Sequence, residues 1–399
     1  MKQYFLWLKD NWVQIFVTII SIVILIIVCS YNLSGITNNQ LSKPEVATIE
    51  GSSSGRRIWS NPLFLPIKLP QYALIKTNLA SVSSMRAISA FYGVIFVIIF
   101  FLLAKIWFSP KIAWVTSAML LSSGLFLNYT RLATTDILVP LGLLGLMWSG
   151  WWIFQSKNTN IKIVSSMIIL ASCIYIPGLI WFVGLIVLAL GKRITKILKK
   201  TNVTSIVIAS LLLVVLLTPL LRSLFLNPKL IIEWLALPST LSIHDFIKNL
   251  IMVSASLVVR STFDPIYNLG RLPYLDILTI ALLVLGVYAF LLRYSLVRTR
   301  MLIGALCIAW LLIATQNEIR INLLLPLIYL MVAGGIMFIL QQWYSVFPKN
   351  PIARMLAIIM VLAVVSISIF YNSTRYFVAW SNNPITNKVF KYKVPPNLL

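Results

Sequence analysis

The stretch AISAFYGVIFVIIFFLLAKI, residues 87–106, decides what kind of protein this is. It is apolar along nearly its whole length, and its single charged residue, Lys105, stands close to its end. About 20 such residues are enough for a helix to cross the hydrocarbon core of a bilayer. We therefore interpret this stretch as a transmembrane helix.

Segments of the same kind recur along the 399-residue chain, of which 60% is hydrophobic and only 11% is charged. Soluble domains are nearer a quarter charged, so the composition predicts an integral membrane protein without a separate soluble domain. The apolar runs predict an all-α bundle of about eleven transmembrane helices, with the N-terminus in the cytoplasm and the C-terminus outside. The expected spans are 13–30, 87–106, 112–128, 137–155, 163–175, 177–191, 203–221, 274–292, 301–315, 323–341 and 352–371.

Residues 163–191 need two spans rather than one. A straight helix of this length would run about 43 Å, against a hydrocarbon core of about 30 Å. Pro177 interrupts the run, and the basic residues of 192–200 favour a cytoplasmic position for the loop that follows. One kinked, tilted helix also fits the length, but only a hairpin of two short helices keeps that loop in the cytoplasm.

The segments outside the spans belong to one membrane domain, 1–399. Two long loops, 31–86 and 222–273, and the tail 372–399 are expected outside, with interface helices in both loops. The net charge of +24 does not indicate nucleic acid, because basic residues in loops orient the chain and meet anionic headgroups. Membrane lipids and a phosphate-bearing substrate are the partners that this charge favours.

Eight of the nine acidic residues fall on the predicted outer side, and Asp10 alone falls on the other. The predicted spans carry almost no ionisable group, which argues against ion-coupled transport but not against the movement of neutral lipids. Carboxylates gathered at one face indicate chemistry at that face. The eight are Glu45, Glu50, Asp136, Glu233, Asp245, Asp264, Asp276 and Glu318.

Two early stretches hold candidate site residues. In residues 41–45, Glu45 is a candidate general base for an acceptor hydroxyl, and a solvated loop glutamate is the alternative. In residues 128–136, Arg131 matches the geometry of a phosphate and Asp136 that of a ligand for a divalent metal ion. Asp136 fits equally well as the cap of the helix that follows it.

Two later stretches offer further candidates. In residues 316–322, an acid and Arg320 flank a short turn, where they form either a local ion pair or a second phosphate contact. Residues 260–276 contain Asp264, Tyr267 and Arg271, which we assign to an acceptor site or a lid.

This order of motifs resembles the polytopic glycosyltransferases of the GT-C fold, most closely the family 39 protein O-mannosyltransferases and the lipid A aminoarabinose transferases. The matching features are an acid in the first loop, a proline-containing start of the interface helices, an arginine that opens the second span, an Arg-to-Asp turn and a late Arg-to-Pro segment. In this chain they are Glu45, Asn61-Pro62-Leu63 with Pro66, Ser84 to Ser89 around Arg86, Tyr129 to Asp136, and Arg320 with Pro326.

The chain departs from that pattern at three points. The family often has a paired Asp-Glu in the first loop, whereas Pro44 precedes Glu45 here. The lysine that usually follows the fifth-span glycines is missing from residues 173–178. We expect no counterpart of the large soluble domain of some members within these 399 residues.

The resemblance implies an inverting sugar transfer from a polyprenyl-phosphate donor at the outer leaflet of the cytoplasmic membrane. Glu45 would be the general base, Asp136 would hold a metal ion or orient the donor phosphate, and Arg131, Arg320 and Arg86 would bind that phosphate. The acceptor remains open between a protein, a lipid and a glycan. A flippase-like lipid-handling protein and a ligase or polymerase of surface polysaccharide are the alternatives.

Overall fold

The computed structural model describes residues 2–154, 159–238, 242–316 and 319–394 of the chain. Helices dominate these residues, and no β-strand occurs among them. Leu41 and Tyr392 form a single isolated antiparallel bridge, which joins the first loop to the C-terminal tail. The prediction of an all-α protein is confirmed.

The first half of the described chain consists of helices of very different length. Short helices fill the loop after α1, and longer ones follow from α5 onwards. They are α1 (Lys2–Ser30), α2 (Lys43–Gly51), α3 (Gly55–Ser60), α4 (Leu65–Lys76), α5 (Val82–Trp107), α6 (Pro110–Ser122), α7 (Gly124–Arg131), α8 (Leu138–Phe154) and α9 (Thr159–Ile174), with a 3₁₀ turn at Gly35–Thr37.

The second half repeats this mixture of long and short helices. A 3₁₀ turn, Ile321–Leu324, leads into one long helix, and a π-helical segment, Arg375–Trp380, continues another. The helices are α10 (Leu179–Leu198), α11 (Val203–Leu226), α12 (Lys229–Trp234), α13 (Ile243–Val258), α14 (Ile277–Leu291), α15 (Val297–Ala314), α16 (Leu325–Val346), α17 (Pro351–Thr374) and α18 (Pro384–Val389).

All eleven predicted spans fall on helices, and the chain is a multi-pass membrane protein. Among the described residues, five helices are long and apolar enough to cross a bilayer, or six if the bent pair α6 and α7 counts as one span. The number eleven and the orientation of the chain stay predictions. The five are Val82–Trp107, Val203–Leu226, Val297–Ala314, Ile321–Val346 and Pro351–Trp380.

The predicted span 112–128 is not one straight helix, because α6 and α7 meet at a bend of 65°. Ser123 between them has φ −59° and ψ 128°, which lies outside the helical region. The bend tucks α7 inside the protein, where seven of its residues are buried. This bend therefore positions the segment that follows α7.

The run 163–191 is divided into α9 and α10, and the break is held from both sides. Gly178 has φ +75°, a left-handed conformation that glycine adopts without strain. Its N–H donates to the Trp234 carbonyl at 2.9 Å, and the Phe64 N–H donates to the Tyr175 carbonyl at 2.9 Å. The break between α9 and α10 therefore contacts both long loops, 31–86 and 222–273.

These contacts gather the connecting segments at one end of the bundle, which we call the site end. It comprises residues 31–81, 131–137, 227–238, 242–276 and the described part of 315–322. The Glu45 side chain reaches the backbone of Ala133, and Asn249 of α13 donates to the Ala314 carbonyl at 3.1 Å. Glu45 and the turn before Asp136 therefore lie at the same end of the bundle.

Helices α14 and α16 pack closely behind this end. A Cβ added to Gly286 would overlap the Met331 carbonyl oxygen, and one added to Gly335 would overlap the Leu282 carbonyl oxygen. Small residues allow helix backbones in membranes to approach in this way. The close pair anchors α16, whose preceding 3₁₀ turn directly follows Arg320.

Candidate active site

The centre of the site end is one guanidinium between two carboxylates. Arg320 Nε lies 3.5 Å from Asp136 Oδ1, and Arg320 Nη1 lies 3.7 Å from Asp264 Oδ2. These distances exceed the 2.7–2.9 Å that is typical of short charge-assisted hydrogen bonds. Arg320, with 41% of its side chain exposed, therefore retains N–H groups that it can offer to a ligand.

Two tyrosines form the floor under this guanidinium. The Tyr267 hydroxyl donates to Asp136 Oδ2 at 2.7 Å, and its ring lies 4.8 Å from the Arg320 guanidinium carbon. Tyr129 stacks on Tyr267 with ring centroids 4.7 Å apart. The Tyr267 ring therefore packs against one face of the Arg320 guanidinium, and Tyr129 supports that ring.

Residues far apart in the chain hold this arrangement in place. Asn128 at the inner helix α7 donates to the Tyr267 carbonyl at 2.8 Å, which fastens the 259–276 loop to the bundle. Asn322 donates its side-chain amide to the backbone carbonyl of Asp136. The Asp136 carboxylate accepts a hydrogen bond from Tyr267 and forms an ion pair with Arg320. These contacts favour a role for Asp136 in the site over a role as a helix cap.

A cavity of about 300 Å³ opens beside Asp264 and Arg320. Its lining is divided between polar side chains and apolar side chains, and the apolar ones come from α13 and from residues 313–321. An amphiphilic ligand with a charged head matches such a division. The lining residues are Tyr129, Met252, Val253, Ser256, Thr262, Asp264, Tyr274, Ile313, Gln316, Ile319, Arg320 and Ile321.

Burial and neighbouring charges shift the protonation of these groups. Burial raises the pKa of the Asp264 carboxyl, and the positive charge of Arg320 only partly opposes that rise. Burial lowers the pKa of the Arg320 guanidinium. This effect is outweighed by the neighbouring groups, Asp136 first and then the two tyrosines and Asp264, so that the pKa lies above its ordinary value. Burial and Asp136 raise the pKa of Tyr267, so its hydroxyl stays protonated and remains a donor.

Glu45, the predicted general base, lies apart from this cavity in a different environment. Its side chain is completely buried. It is the third residue of α2 and forms a capping box with Ser42, whose N–H and hydroxyl donate to Glu45 Oε2 at 2.8 and 2.9 Å. The Ala133 N–H donates to Oε1 at 3.0 Å. An accessible carboxylate was expected here, and the structure instead encloses it.

Arg86 completes the enclosure of Glu45. Its Nε lies 2.7 Å from Glu45 Oε1 and its Nη2 lies 3.1 Å from Oε2. The remaining N–H groups of Arg86 donate to the Leu33 carbonyl at 2.6 Å, the Thr37 hydroxyl at 2.7 Å and the Gln40 carbonyl at 2.9 Å. Arg86 was predicted to bind the donor phosphate, but its nitrogens are committed to the first loop and it is only 1% exposed.

The last two predicted residues also lie outside the cavity. Arg131, expected at the mouth of the bundle, is buried at the end of α7, where it donates to the carbonyls of Val28 and Tyr31. Its guanidinium also lies over the Phe377 ring at 5.1 Å, so it ties α1 to the C-terminal part. Arg271 has an exposed side chain on the surface of the 259–276 loop.

The sequence suggested that Asp136 either holds a divalent metal ion or orients the donor phosphate. Among the described residues, no group of three or more His, Cys, Asp or Glu side chains could hold a metal ion. The positive charge of Arg320 already lies between the carboxylates of Asp136 and Asp264. This donor set is better matched to a guanidinium than to a metal ion, which would meet Arg320 as a like charge.

The site contains residues that the sequence did not single out. Tyr274 and Gln316 line the cavity, and neither belongs to a recognisable motif. Their closeness in sequence to Asp264 and Arg320 was the only available signal. Glu318, predicted as the acid beside Arg320, lies outside the described residues.

No protein-family model and no curated protein matches this chain. Among solved structures, ArnT from Cupriavidus metallidurans in the apo state matches it with a TM-score of 0.54 at 14% identity, over 96% of this chain and 78% of that chain. The same protein bound to undecaprenyl phosphate matches with a TM-score of 0.49 at 12% identity, over 95% of this chain and 76% of that chain. The similarity to apo ArnT, together with the helical architecture, shows that this chain has the GT-C fold of that structure.

Proposed function

We propose that this chain is a membrane glycosyltransferase that moves a sugar from a polyprenyl-phosphate donor to an acceptor hydroxyl. The observation that carries the proposal is the shared cavity of Asp264 and Arg320, in which a carboxylate and an incompletely paired guanidinium lie among apolar side chains. We place this reaction at the outer face of the cytoplasmic membrane. The GT-C fold supports the proposal by similarity of architecture.

Arg320 binds the donor phosphate in this proposal. Its ion pairs with Asp136 and Asp264 are long, at 3.5 and 3.7 Å, so it has N–H groups to give to a phosphate. A guanidinium matches the geometry of phosphate oxygens and stabilises the charge that grows on them as the sugar departs. Asp136 and Tyr267 position Arg320 from behind and do not touch the donor.

Asp264 takes the role of general base that the sequence suggested for Glu45. Its side chain is 31% exposed, and burial raises its pKa towards the range in which a carboxylate accepts a proton effectively. Glu45 has no exposed oxygen, and hydrogen bonds with Ser42, Arg86 and Ala133 engage its carboxylate. We therefore assign Glu45 and Arg86 to holding the first loop against the bundle.

The proposed step is a single displacement. The acceptor oxygen forms a bond to the anomeric carbon, and the bond from that carbon to the phosphate oxygen breaks. The polyprenyl phosphate leaves with the bonding electron pair, and the proton of the acceptor passes to the Asp264 carboxylate. Attack opposite the leaving phosphate inverts the anomeric centre, which requires the donor sugar to lie between Asp264 and the phosphate.

The test is sugar transfer by membranes that contain the full chain, supplied with a panel of labelled polyprenyl-phosphate sugars. Asp264→Asn should lower the rate by roughly 10²- to 10⁴-fold, the usual contribution of a general base. Asp245→Asn is the matched control, because Asp245 is exposed in the same predicted outer loop. Unchanged transfer by a folded Asp264→Asn protein would contradict the assignment.

A second function, binding of a polyprenyl phosphate without transfer, is favoured by one observation. Pro44 stands where related proteins often have an additional acid, and the adjacent Glu45 is enclosed. A chain of this kind would bind the lipid through Arg320 and give no product with any sugar of the panel. The same assay therefore separates the two functions when lipid binding is measured alongside it.

A further inference from the structure

A second pocket lies at the opposite end of the bundle, between the end of α14 and the start of α15. Its cavity measures about 30 Å³, and Arg293, Arg298, Thr299 and Gln341 contribute its polar side chains. Helix α14 has 15 residues and so carries the chain about 22 Å away from Asp276 at the site end. The pocket is therefore remote from the cavity of Asp264 and Arg320.

Two arginines line this pocket, and the structure shows which groups they contact. Arg293 donates to the Gln341 side-chain oxygen at 2.9 Å, and Arg298 donates to the Trp107 carbonyl at 2.9 Å. Neither forms an ion pair with an acid among the side chains that the structure describes. The sequence has no acidic residue between Asp276 and Glu318. Each guanidinium retains N–H groups that an anion can accept.

A buried hydroxyl and a helix N-terminus complete the group of donors. Thr299 is fully buried, and its hydroxyl has no hydrogen-bond partner among the described residues. It stands in the first turn of α15, whose N-cap residue Leu296 offers no side-chain cap. The free N–H groups and the dipole of a helix N-terminus attract negative charge. An orphaned polar atom in a pocket with two arginines points to a ligand that is an anion.

We propose that this pocket binds the phosphate oxygens of an anionic phospholipid headgroup. Its volume holds about two water-sized groups, so the oxygens enter while the rest of the headgroup stays outside. Phe290 and Phe338 line the same pocket, and Leu292 beside it is 62% exposed, which gives acyl chains an apolar surface. The end of a bundle of membrane helices is also the level at which headgroups lie.

The experiment is a lipid titration of the purified full chain in detergent, read by native mass spectrometry. Phosphatidylglycerol supplies an anionic headgroup, phosphatidylcholine is the zwitterionic comparison, and inorganic phosphate is the soluble competitor. The choline cation of phosphatidylcholine would lie next to the two arginines and repel them, so we expect phosphatidylglycerol to bind roughly tenfold more tightly. Millimolar inorganic phosphate should not displace it. Equal binding of the two lipids, or displacement by free phosphate, would overturn the lipid assignment.

Variants locate the binding in the pocket. Arg293→Gln and Arg298→Gln should each remove most of the preference for phosphatidylglycerol, whereas Arg300→Gln, an exposed neighbour outside the pocket, should retain it. Thr299→Val removes the orphaned hydroxyl, so lipid affinity should fall without a loss of thermal stability. If Arg298→Gln fails to fold, Arg293→Gln and Thr299→Val decide the question. If Arg293→Gln and Thr299→Val both keep the preference for phosphatidylglycerol, the site is refuted. The site is also refuted if Arg300→Gln loses that preference to the same extent.

Discussion

Glu45 and Arg86 form a fully enclosed ion pair, with Arg86 Nε 2.7 Å from Glu45 Oε1 and both side chains at most 1% exposed. The pair links the start of α2 to α5 and also fixes the backbone of Ala133. Because the turn from Ala133 to Asp136 depends on this contact, the pair supports the site without lining its cavity.

The first prediction concerns the stability of this pair. Glu45→Gln leaves Arg86 as a buried charge without its counter-ion, which should lower the free energy of unfolding by about 3–5 kcal/mol. Glu50→Gln, five positions later on the exposed surface of α2, should have almost no effect. Thermal unfolding of the purified proteins measures both changes. The double variant with Arg86→Met should lose less stability than the two single losses combined.

The second prediction concerns the pH dependence of transfer. A general base acts only when it is deprotonated, so the rate must fall as the pH falls through the pKa of the base. Burial raises the pKa of Asp264, which places the acid limb of the profile above the ordinary value of about 3.9. In Asp264→Asn the residual rate should lose this limb. An identical limb in wild type and variant would assign it to another group.

The third prediction concerns recognition of the phosphate. Arg320→Lys keeps the charge but loses the planar fork, so polyprenyl phosphate should bind roughly tenfold more weakly or worse. Arg271→Lys is the matched control, since Arg271 is exposed on the nearby loop and outside the cavity. Equilibrium binding of a fluorescent polyprenyl phosphate measures the affinity of both variants. Equal affinities in the two variants would remove Arg320 from the phosphate site.

The fourth prediction tests the close contact of α14 and α16. Gly286→Ala forces the new methyl group against the Met331 carbonyl, which should cost about 1–3 kcal/mol of stability. Gly184→Ala in α10 has open space around the added carbon and should leave stability unchanged or slightly higher. Thermal unfolding distinguishes the two. A Gly286→Ala protein as stable as wild type would contradict the close packing.

The fold was largely predictable, because an apolar run that is long enough to cross a bilayer almost always forms a helix there. The break at Pro177-Gly178 was also predicted, because proline removes a helical hydrogen bond. The bend at Ser123 was not, because Ser122, Ser123 and Gly124 are all compatible with a continuous membrane helix. Only the packing of α7 inside the bundle selects the bent form.

The sequence identified the members of the site only in part, because four of its eight candidate residues lie outside the site. Asp136, Asp264, Tyr267 and Arg320 were singled out as separate stretches, and the fold brings them together across up to 184 residues of chain. Ser42 and Glu45 have the spacing of a capping box, a signal that favours a structural role for this glutamate. Hydrogen-bond partners decide such roles, and a sequence does not display them.

The most direct measurement is photo-crosslinking of the full chain with a polyprenyl phosphate that carries a photoreactive group next to its phosphate, followed by peptide mapping. We predict adducts on the residues that line the cavity of Asp264 and Arg320, within segments 252–274, 313–316 and 319–321. Arg320→Gln should abolish them. Adducts concentrated instead on residues 41–45 and around Arg86 would contradict the account and return the reaction to the first loop.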